Sequence, residues 1–434
     1  MKKLNTSPIS GMQELLPAEQ AVFNQIKNNI ADSFAHHCFQ NIETPTIDRT
    51  EILLAKAGGE TEKQIYKVVK TAETADEADE ALRFDHTVPL ARYVVEHAND
   101  LAFPFKVSQI GRNFRGERAQ KGRFREFYQC DIDVIGRNSL PIEYDAEVIA
   151  TLYEALGHLN LPNLKVHLSN RRLLNGLLDS MNLNHRSADI YSIVDHATKV
   201  PLSVTNAALK DLGLGEENVV KLTTFVGIKG NRKEVESELR SLNVGDADFI
   251  QGLEELLQVM EMLEELCPAD SVIADMMIVR GLDYYTGTVF ETCSEEHFNL
   301  GSVCSGGRYD NLASHYTEQS LPGVGGSIGL TRLFYLLNSN GLLDKQFIKP
   351  VSTAIIPLSK EAYPFARALQ NHLASEGFTA DIIYGDKKLG DKMTYAAKIA
   401  DHACIIGEDE IKSREIGLKD LATGNIETIK IPEF

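Results

Sequence analysis

The chain has 434 residues, 43% hydrophobic and 24% charged, with a formal net charge of −18. That length exceeds one ordinary core and implies two or three domains of globular composition. The acidic balance excludes indiscriminate nucleic-acid binding over the whole surface, yet leaves room for a local basic patch, because phosphate contacts need only a few placed Lys or Arg residues.

The opening MKKLNTSPISGMQELLP carries no apolar run behind its lysines and reads as no signal peptide. No window approaches 18 consecutive apolar residues, so no membrane span is expected. A first helix is expected from Pro17, with Phe23, Ile26, Ile30 and Phe34 at three- and four-residue spacing. IETPTIDRTEILLAKAGG reads as a strand, a helix and a glycine stop. The acidic run Glu73–Ala81 reads as a solvated loop or helix face, and TVPLARYVVEHA as a second amphipathic helix. From Phe103 to Gly136 the text is strand-like around the polar loop RAQKG. From about 165 to 270 it turns helical, with Ile250, Leu253, Leu257, Met260 and Leu263 expected on one stripe. Strand character returns with MMIVRGLDYYTGTVFETC and a glycine-rich run to Gly329. Beyond a boundary near Asn338–Pro350, short β-rich runs alternate with helical patterns, which predicts a small α/β domain with a partly parallel sheet. The six cysteines (Cys38, Cys130, Cys267, Cys293, Cys304 and Cys404) form no CxxC pair or zinc-type cluster and read as reduced thiols of a cytosolic protein.

One stretch stands out in so acidic a chain. FRGERAQKGRFREF concentrates Arg115, Arg118, Lys121, Arg123 and Arg125 against only Glu117 and Glu126. Side chains alternate faces along a strand. Arg115, Glu117, Arg123, Arg125, Phe127, Gln129, Asp131 and Asp133 are odd-numbered, whereas Phe124, Tyr128, Cys130, Ile132 and Val134 are even, with Glu126 the charged exception. One face of this hairpin is therefore apolar, and the other is a row of guanidinium, carboxylate, amide and aromatic groups. Guanidinium forks pair with phosphate oxygens, and an aromatic ring can stack on a base. A self-neutralised, solvated face is the alternative. Further on, Arg280 stands beside Tyr284 and Tyr285, and CSGGRYDNL and GVGGSIGLTRL supply either close backbone approach to a ligand or tight turns. Neither a complete GxGxxG nor a Walker A sequence is present, so ATP, if bound, does not sit in a P-loop.

Phe114–Asp133, with Pro45 in IETPTIDR and Arg332 in GLTRL, resembles the three motifs of class II aminoacyl-tRNA synthetases. FRGERAQKGRFREFYQCDID, VRGLDYYTGTVFE and SGGRYD together resemble the histidyl-tRNA synthetase family over nearly the whole chain. The resemblance implies an α+β catalytic domain with an antiparallel sheet (1–165 and 271–340), a helical insertion (166–270) and a C-terminal α/β anticodon-binding domain (350–434). It implies a cytoplasmic homodimer with the segment around Pro45 at its interface, and ATP, L-histidine and tRNA(His) as partners. Histidine would be activated to histidyl-adenylate and then transferred to the 3′ end of the tRNA. Arg115 and Arg280 would be the catalytic arginines at the α-phosphate. Glu117 would read the adenine amino group, Arg123 would hold the γ-phosphate, and Phe127 and Arg332 would cover the two faces of adenine. Asp85, Thr87 and Gln129 match the ammonium site, and Asp133 and Tyr285, with Tyr284 adjacent, the imidazole site. Mg²⁺ is expected with ATP, with no protein ligand assigned to it. Arg118 and Lys121 would be left to meet the acceptor end of tRNA. Glu14, Phe84 and His86 depart from the family's usual residues. Two other readings share the scaffold: a regulatory paralogue of ATP phosphoribosyltransferase, which typically lacks the C-terminal domain, and an ATP-dependent amide ligase.

Overall fold

The computed structural model describes residues 4–55, 63–71, 74, 78–159, 161–197, 200–279, 284–296, 301–343, 349 and 351–430. The chain divides into two compact units, Met1–Glu14 with Phe23–Leu343, and Leu15–Val22 with Asp344–Phe434. The first helix runs Pro17–His36 and buries Phe23, Ile26, Ile30 and Phe34, the stripe its spacing predicts.

The larger unit carries the strands Gln40–Asn41 (β1), Ile47–Arg49 (β2), Lys67–Val68 (β3), Glu80–Leu82 (β4), Phe105–Phe114 (β5), Glu126–Ile135 (β6), Leu164–Asn170 (β7), Lys229–Gly230 (β8), Val272–Asp275 (β9), Thr288–Ser294 (β10), Cys304–Tyr309 (β11) and Gly323–Ile328 (β12). Nine of them form one sheet in the order β1-β5-β6-β12-β11-β10-β7-β9-β8. The pairings from β5 through β7 are all antiparallel, while β1 runs parallel to β5 and β9 to β7. β2, β4 and β3 make a small second sheet. The end of the acidic run lies in β4, where Ala81 is fully buried, rather than in a solvated loop or helix face.

Parity along β6 decides what lies on each face. Cys130, Ile132 and Val134 are fully buried on one side, and Tyr128 meets the Phe23 ring edge-on at 5.5 Å. Glu126, the charged exception, pairs with Arg112 at 3.0 Å. The glycines of β11 and β12 lie in strands rather than in turns, and Gly306, Gly325 and Gly326 line the cavity described below. A Cβ at Gly326 would sit 2.6 Å from Leu152 of the helix Glu143–Gly157, and one at Gly306 would sit 2.6 Å from Phe290. Arg308 of SGGRYD is structural: it grips the fully buried Asp145 carboxylate at 2.7 and 3.1 Å and donates to the carbonyls of Leu140 and Pro141.

Residues 171–266 are mainly helical, and the stretch read as an insertion opens on β7, inside the large sheet. The long helix Ala247–Leu266 buries Phe249, Leu253, Leu256, Val259, Met260 and Leu263, while Ile250 stays 45% exposed. The stripe is rotated from the expected one because Gly252 lies against the helix Arg171–Ser180, where a Cβ would meet Arg172 Cβ at 2.8 Å. In the smaller unit, Val351–Pro357 (β13), Ala380–Ile382 (β14), Ala400–Ile406 (β15), Glu415–Asp420 (β16) and Ile426–Lys430 (β17) form the order β14-β13-β15-β16-β17. The first three are parallel and the rest antiparallel, the partly parallel α/β sheet expected. Ile355, Leu369, Ile382 and Ile406 lie at its core.

Candidate active site

The odd-numbered side chains of β6 form the floor of a cavity of about 1110 Å³. Phe127, Gln129, Asp131 and Asp133 follow one another across it. Asp85 and Thr87 enter from the start of the helix Thr87–Glu96, and Arg115, Glu117 and Arg123 from the β5–β6 hairpin. Tyr284 and Tyr285 precede β10, and Arg332 lies on the first turn of the helix Leu330–Ser339. Every site residue named from the sequence lines this one space except Arg280, which lies outside the described residues. Arg125, counted in the row by parity, does not line the cavity. Its Nε donates to the Glu117 carbonyl at 3.0 Å, its own N–H to the Gly11 carbonyl at 2.7 Å, and so it ties the N-terminal segment to the hairpin. Arg118 and Lys121 are exposed on the loop between.

Arg115 is half-buried, with its guanidinium carbon 4.4 Å from the Phe84 ring centre and 5.0 Å from that of Phe127. Its Nε donates to the Phe84 carbonyl at 3.3 Å. Burial pulls its pKa below the ordinary arginine value, and the carboxylates of Asp85 and Glu117 oppose that pull. Glu117 pairs with Arg123 at 3.5 Å. Gly301, at φ +66°, leaves room for Arg332, whose Nη2 would stand 2.8 Å from a Cβ there.

The other end of the cavity is a buried carboxylate floor. Asp85 accepts the backbone N–H of Val88 at 3.0 Å, so it caps the helix while facing the cavity. Burial raises its pKa, and the Val88 N–H and Arg115 work against the rise. Asp133 accepts from the Tyr309 hydroxyl at 2.8 Å. Burial pushes Asp133 up to about 7, with the Tyr309 hydrogen bond opposing. Gly325 is obligatory beside it, since a Cβ there would lie 2.0 Å from Asp133 Oδ1. Gly307 likewise leaves room for the Tyr285 ring. Tyr284 and Tyr285 meet edge-to-face at 5.0 Å, and burial raises both phenols. Gln129 is fixed from both sides, accepting from Asn113 Nδ2 at 2.7 Å and donating to Ser327 Oγ at 2.6 Å.

Several lining groups escaped the sequence reading. Glu291 and Ser327 come from neighbouring strands, and Arg171, Tyr191 and Asp195 from the helical stretch. Arg171 lies over the Tyr191 ring at 4.8 Å. Nothing in the local text ties Ser187–Ala197 to a strand sixty residues earlier. Asp131 had a signal, its place on the odd face, but no task.

A floor of cations, rings and carboxylates on an antiparallel sheet fits a nucleotide together with a small charged substrate. Residues 352–434 match the family model described as an anticodon binding domain. With that sheet and that second unit, the molecule falls in the class II aminoacyl-tRNA synthetases. Residues 11–333 match the model described as histidyl-tRNA synthetase, and the chain belongs to that family. It is 42% identical to the histidine–tRNA ligase of Clostridium tetani, over 100% of this chain and 98% of that one. To that of Clostridium acetobutylicum it is 39% identical, over 100% and 99%. The crystal structure of histidyl-tRNA synthetase from Nostoc sp. PCC 7120 superposes with a TM-score of 0.87 at 34% identity, covering 99% and 97% of the two chains. A structure described as an ATP phosphoribosyltransferase regulatory subunit/histidyl-tRNA synthetase, from Bacillus halodurans, shares the fold at TM-score 0.78 and 23% identity.

Proposed function

We infer that this enzyme activates L-histidine with ATP to histidyl-adenylate and transfers the histidyl group to the 3′ end of tRNA(His). The observation that carries this reading is the convergence, in one cavity, of an arginine–aromatic end suited to ATP and a buried carboxylate–tyrosine end suited to an imidazole. The substrate carboxylate attacks the α-phosphate and pyrophosphate leaves. A terminal ribose hydroxyl of the tRNA then attacks the adenylate carbonyl and AMP leaves. Arg115 holds the α-phosphate, where negative charge grows in the transition state, and its clamped guanidinium needs little reorganisation to do so. Phe127 and Arg332 cover the adenine, Glu117 reads its amino group, and Arg123 exchanges its Glu117 partner for the γ-phosphate. Arg280, on the family resemblance, faces Arg115 across the α-phosphate. Asp85, Thr87 and Gln129 receive the ammonium. Asp133 accepts an imidazole N–H, with Tyr285 and Tyr284 walling the ring. An amino acid lacking the ring nitrogens would leave Asp133 buried with only the Tyr309 hydroxyl as donor and its other oxygen unmatched, which supports discrimination by orders of magnitude.

On this reading ATP would be bound with Mg²⁺, which would supply charge neutralisation at the outer phosphates. Among the described residues no group of three His, Cys, Asp or Glu is placed to hold a metal. The Glu291 carboxylate in the cavity fits an ion that takes its other ligands from phosphate and water. The smaller unit reads the anticodon. The working form is a homodimer with the segment around Pro45 at its interface, and the place of work is the cytoplasm. No helix among the described residues is long and apolar enough to cross a membrane. Purified protein is expected to exchange pyrophosphate into ATP only with histidine present. Exchange supported equally by another amino acid, or none at all, would overturn the reading.

A further inference from the structure

Among the odd-numbered side chains of β6 that line the cavity, Asp131 is the one that the activation scheme leaves without a task. It lies between Gln129 and Asp133 on the same face, about 6.6 Å from each along the strand. It is 4% exposed. Its Oδ2 accepts from His86 Nδ1 at 2.9 Å, whereas its Oδ1 has no protein partner. A buried carboxylate oxygen left unpaired is costly, and a donor from a bound ligand would relieve that cost.

His86 is itself held firmly. Gln109 Nε2 donates to its carbonyl at 3.3 Å, and Gln109 Oε1 accepts from Thr44 Oγ1 at 3.0 Å. Gly111 leaves space for its ring, since a Cβ there would lie 3.2 Å from Nε2. The chain Thr44–Gln109–His86–Asp131 thus fixes the carboxylate from behind while its second oxygen stays unspent.

The α-ammonium of the substrate offers three N–H donors. Its neighbours are already partly engaged. Asp85 spends one oxygen on Val88, Gln129 has a partner at each end of its amide, and Thr87 is hydrogen-bonded to Tyr284. We propose that Asp131 is a further substrate-binding residue whose Oδ1 accepts a hydrogen bond from the α-ammonium of histidine, and that His86 is the positioning residue that aims it. The proposal rests on the histidine-activation reading above. It gives the departure of this chain at His86 a purpose.

The test is pyrophosphate exchange by the full-length protein, with 3-(imidazol-4-yl)propionate, the substrate without its amino group, as a competitive inhibitor. Asp131→Asn is expected to raise KM for histidine about 10- to 100-fold, the loss of one charge-assisted hydrogen bond. KM for ATP and the inhibition constant of the des-amino compound should stay within twofold of wild type. His86→Leu should raise KM for histidine in the same direction, and His86→Asn, which restores an N–H donor, should recover most of it. A histidine KM unchanged in Asp131→Asn overturns the proposal, and so does an equal loss of histidine and des-amino affinity. If Asp131→Asn does not fold, Asp131→Glu carries the same comparison, because it keeps the charge but moves it by a methylene. A wild-type protein that shows no histidine-dependent exchange overturns the activation reading instead.

Discussion

Asp133 holds a proton far more tightly than an ordinary aspartate because it is buried, and its pKa of about 7 has consequences of fixed sign. Between the usual aspartate range and pH 7, the unfolded chain has released this proton while the folded chain keeps it. Stability therefore falls as pH rises through that window and levels off above it. Asp133→Asn removes the penalty, so its unfolding free energy in urea should exceed that of wild type at pH 8 by on the order of a few kcal/mol, and the gain should vanish near pH 4. The same titration governs binding. A protonated Asp133 loses its charge and turns one oxygen into an O–H donor, so it accepts an imidazole N–H more weakly, and KM for histidine should climb as pH falls from 8 to 6. Free imidazole itself titrates near pH 6.5, so the difference between wild type and Asp133→Asn, measured at both pH values, isolates the protein's share. The carboxylate was visible in the sequence through parity and through the family resemblance. Its pKa was not, because burial comes from Tyr309 and Gly325, nearly two hundred residues downstream.

At the scale of elements, the clearest dependence is the Arg308–Asp145 pair, which joins β11 to the helix Glu143–Gly157 with both side chains out of water. Removing one partner strands a buried charge. Asp145→Ala should cost about 3–5 kcal/mol in urea unfolding, and the double variant Asp145→Ala/Arg308→Met should recover much of it. The sequence announced Arg308 as part of a motif, but not that its work is architectural. Legibility followed distance along the chain. The β5–β6 hairpin, the first helix and the partly parallel sheet at the C-terminal end all rest on local periodicity and could be read directly. The helix Ala247–Leu266 kept its length but not its expected face, because Gly252 lets another helix approach on a side that spacing alone does not mark. β7 was hidden within a stretch read as helical, since a strand buried in mid-sheet shows no alternation of polar and apolar residues.

At the scale of the molecule, the two units divide the labour that the proposed function requires. A chain ending at Leu343 keeps the whole cavity and should still exchange pyrophosphate with histidine, while its charging of tRNA(His) should fall at least tenfold in an aminoacylation assay. Undiminished charging would remove the anticodon role from the smaller unit. The family resemblance was legible because its motifs fall on continuous stretches of chain. The lining supplied by Tyr191 and Asp195 was not, because it depends on how the helical stretch folds back over the sheet. β6 also behaves as a reading frame. Substrate groups and core groups occupy alternate places along it, so one residue inserted or deleted between Phe127 and Asp133 would exchange the two sets at a stroke. A substitution there costs one contact, whereas a slip costs them all. Variation in this strand should therefore be confined to substitutions, and changes of length should accumulate instead in the loop around Arg118 and Lys121.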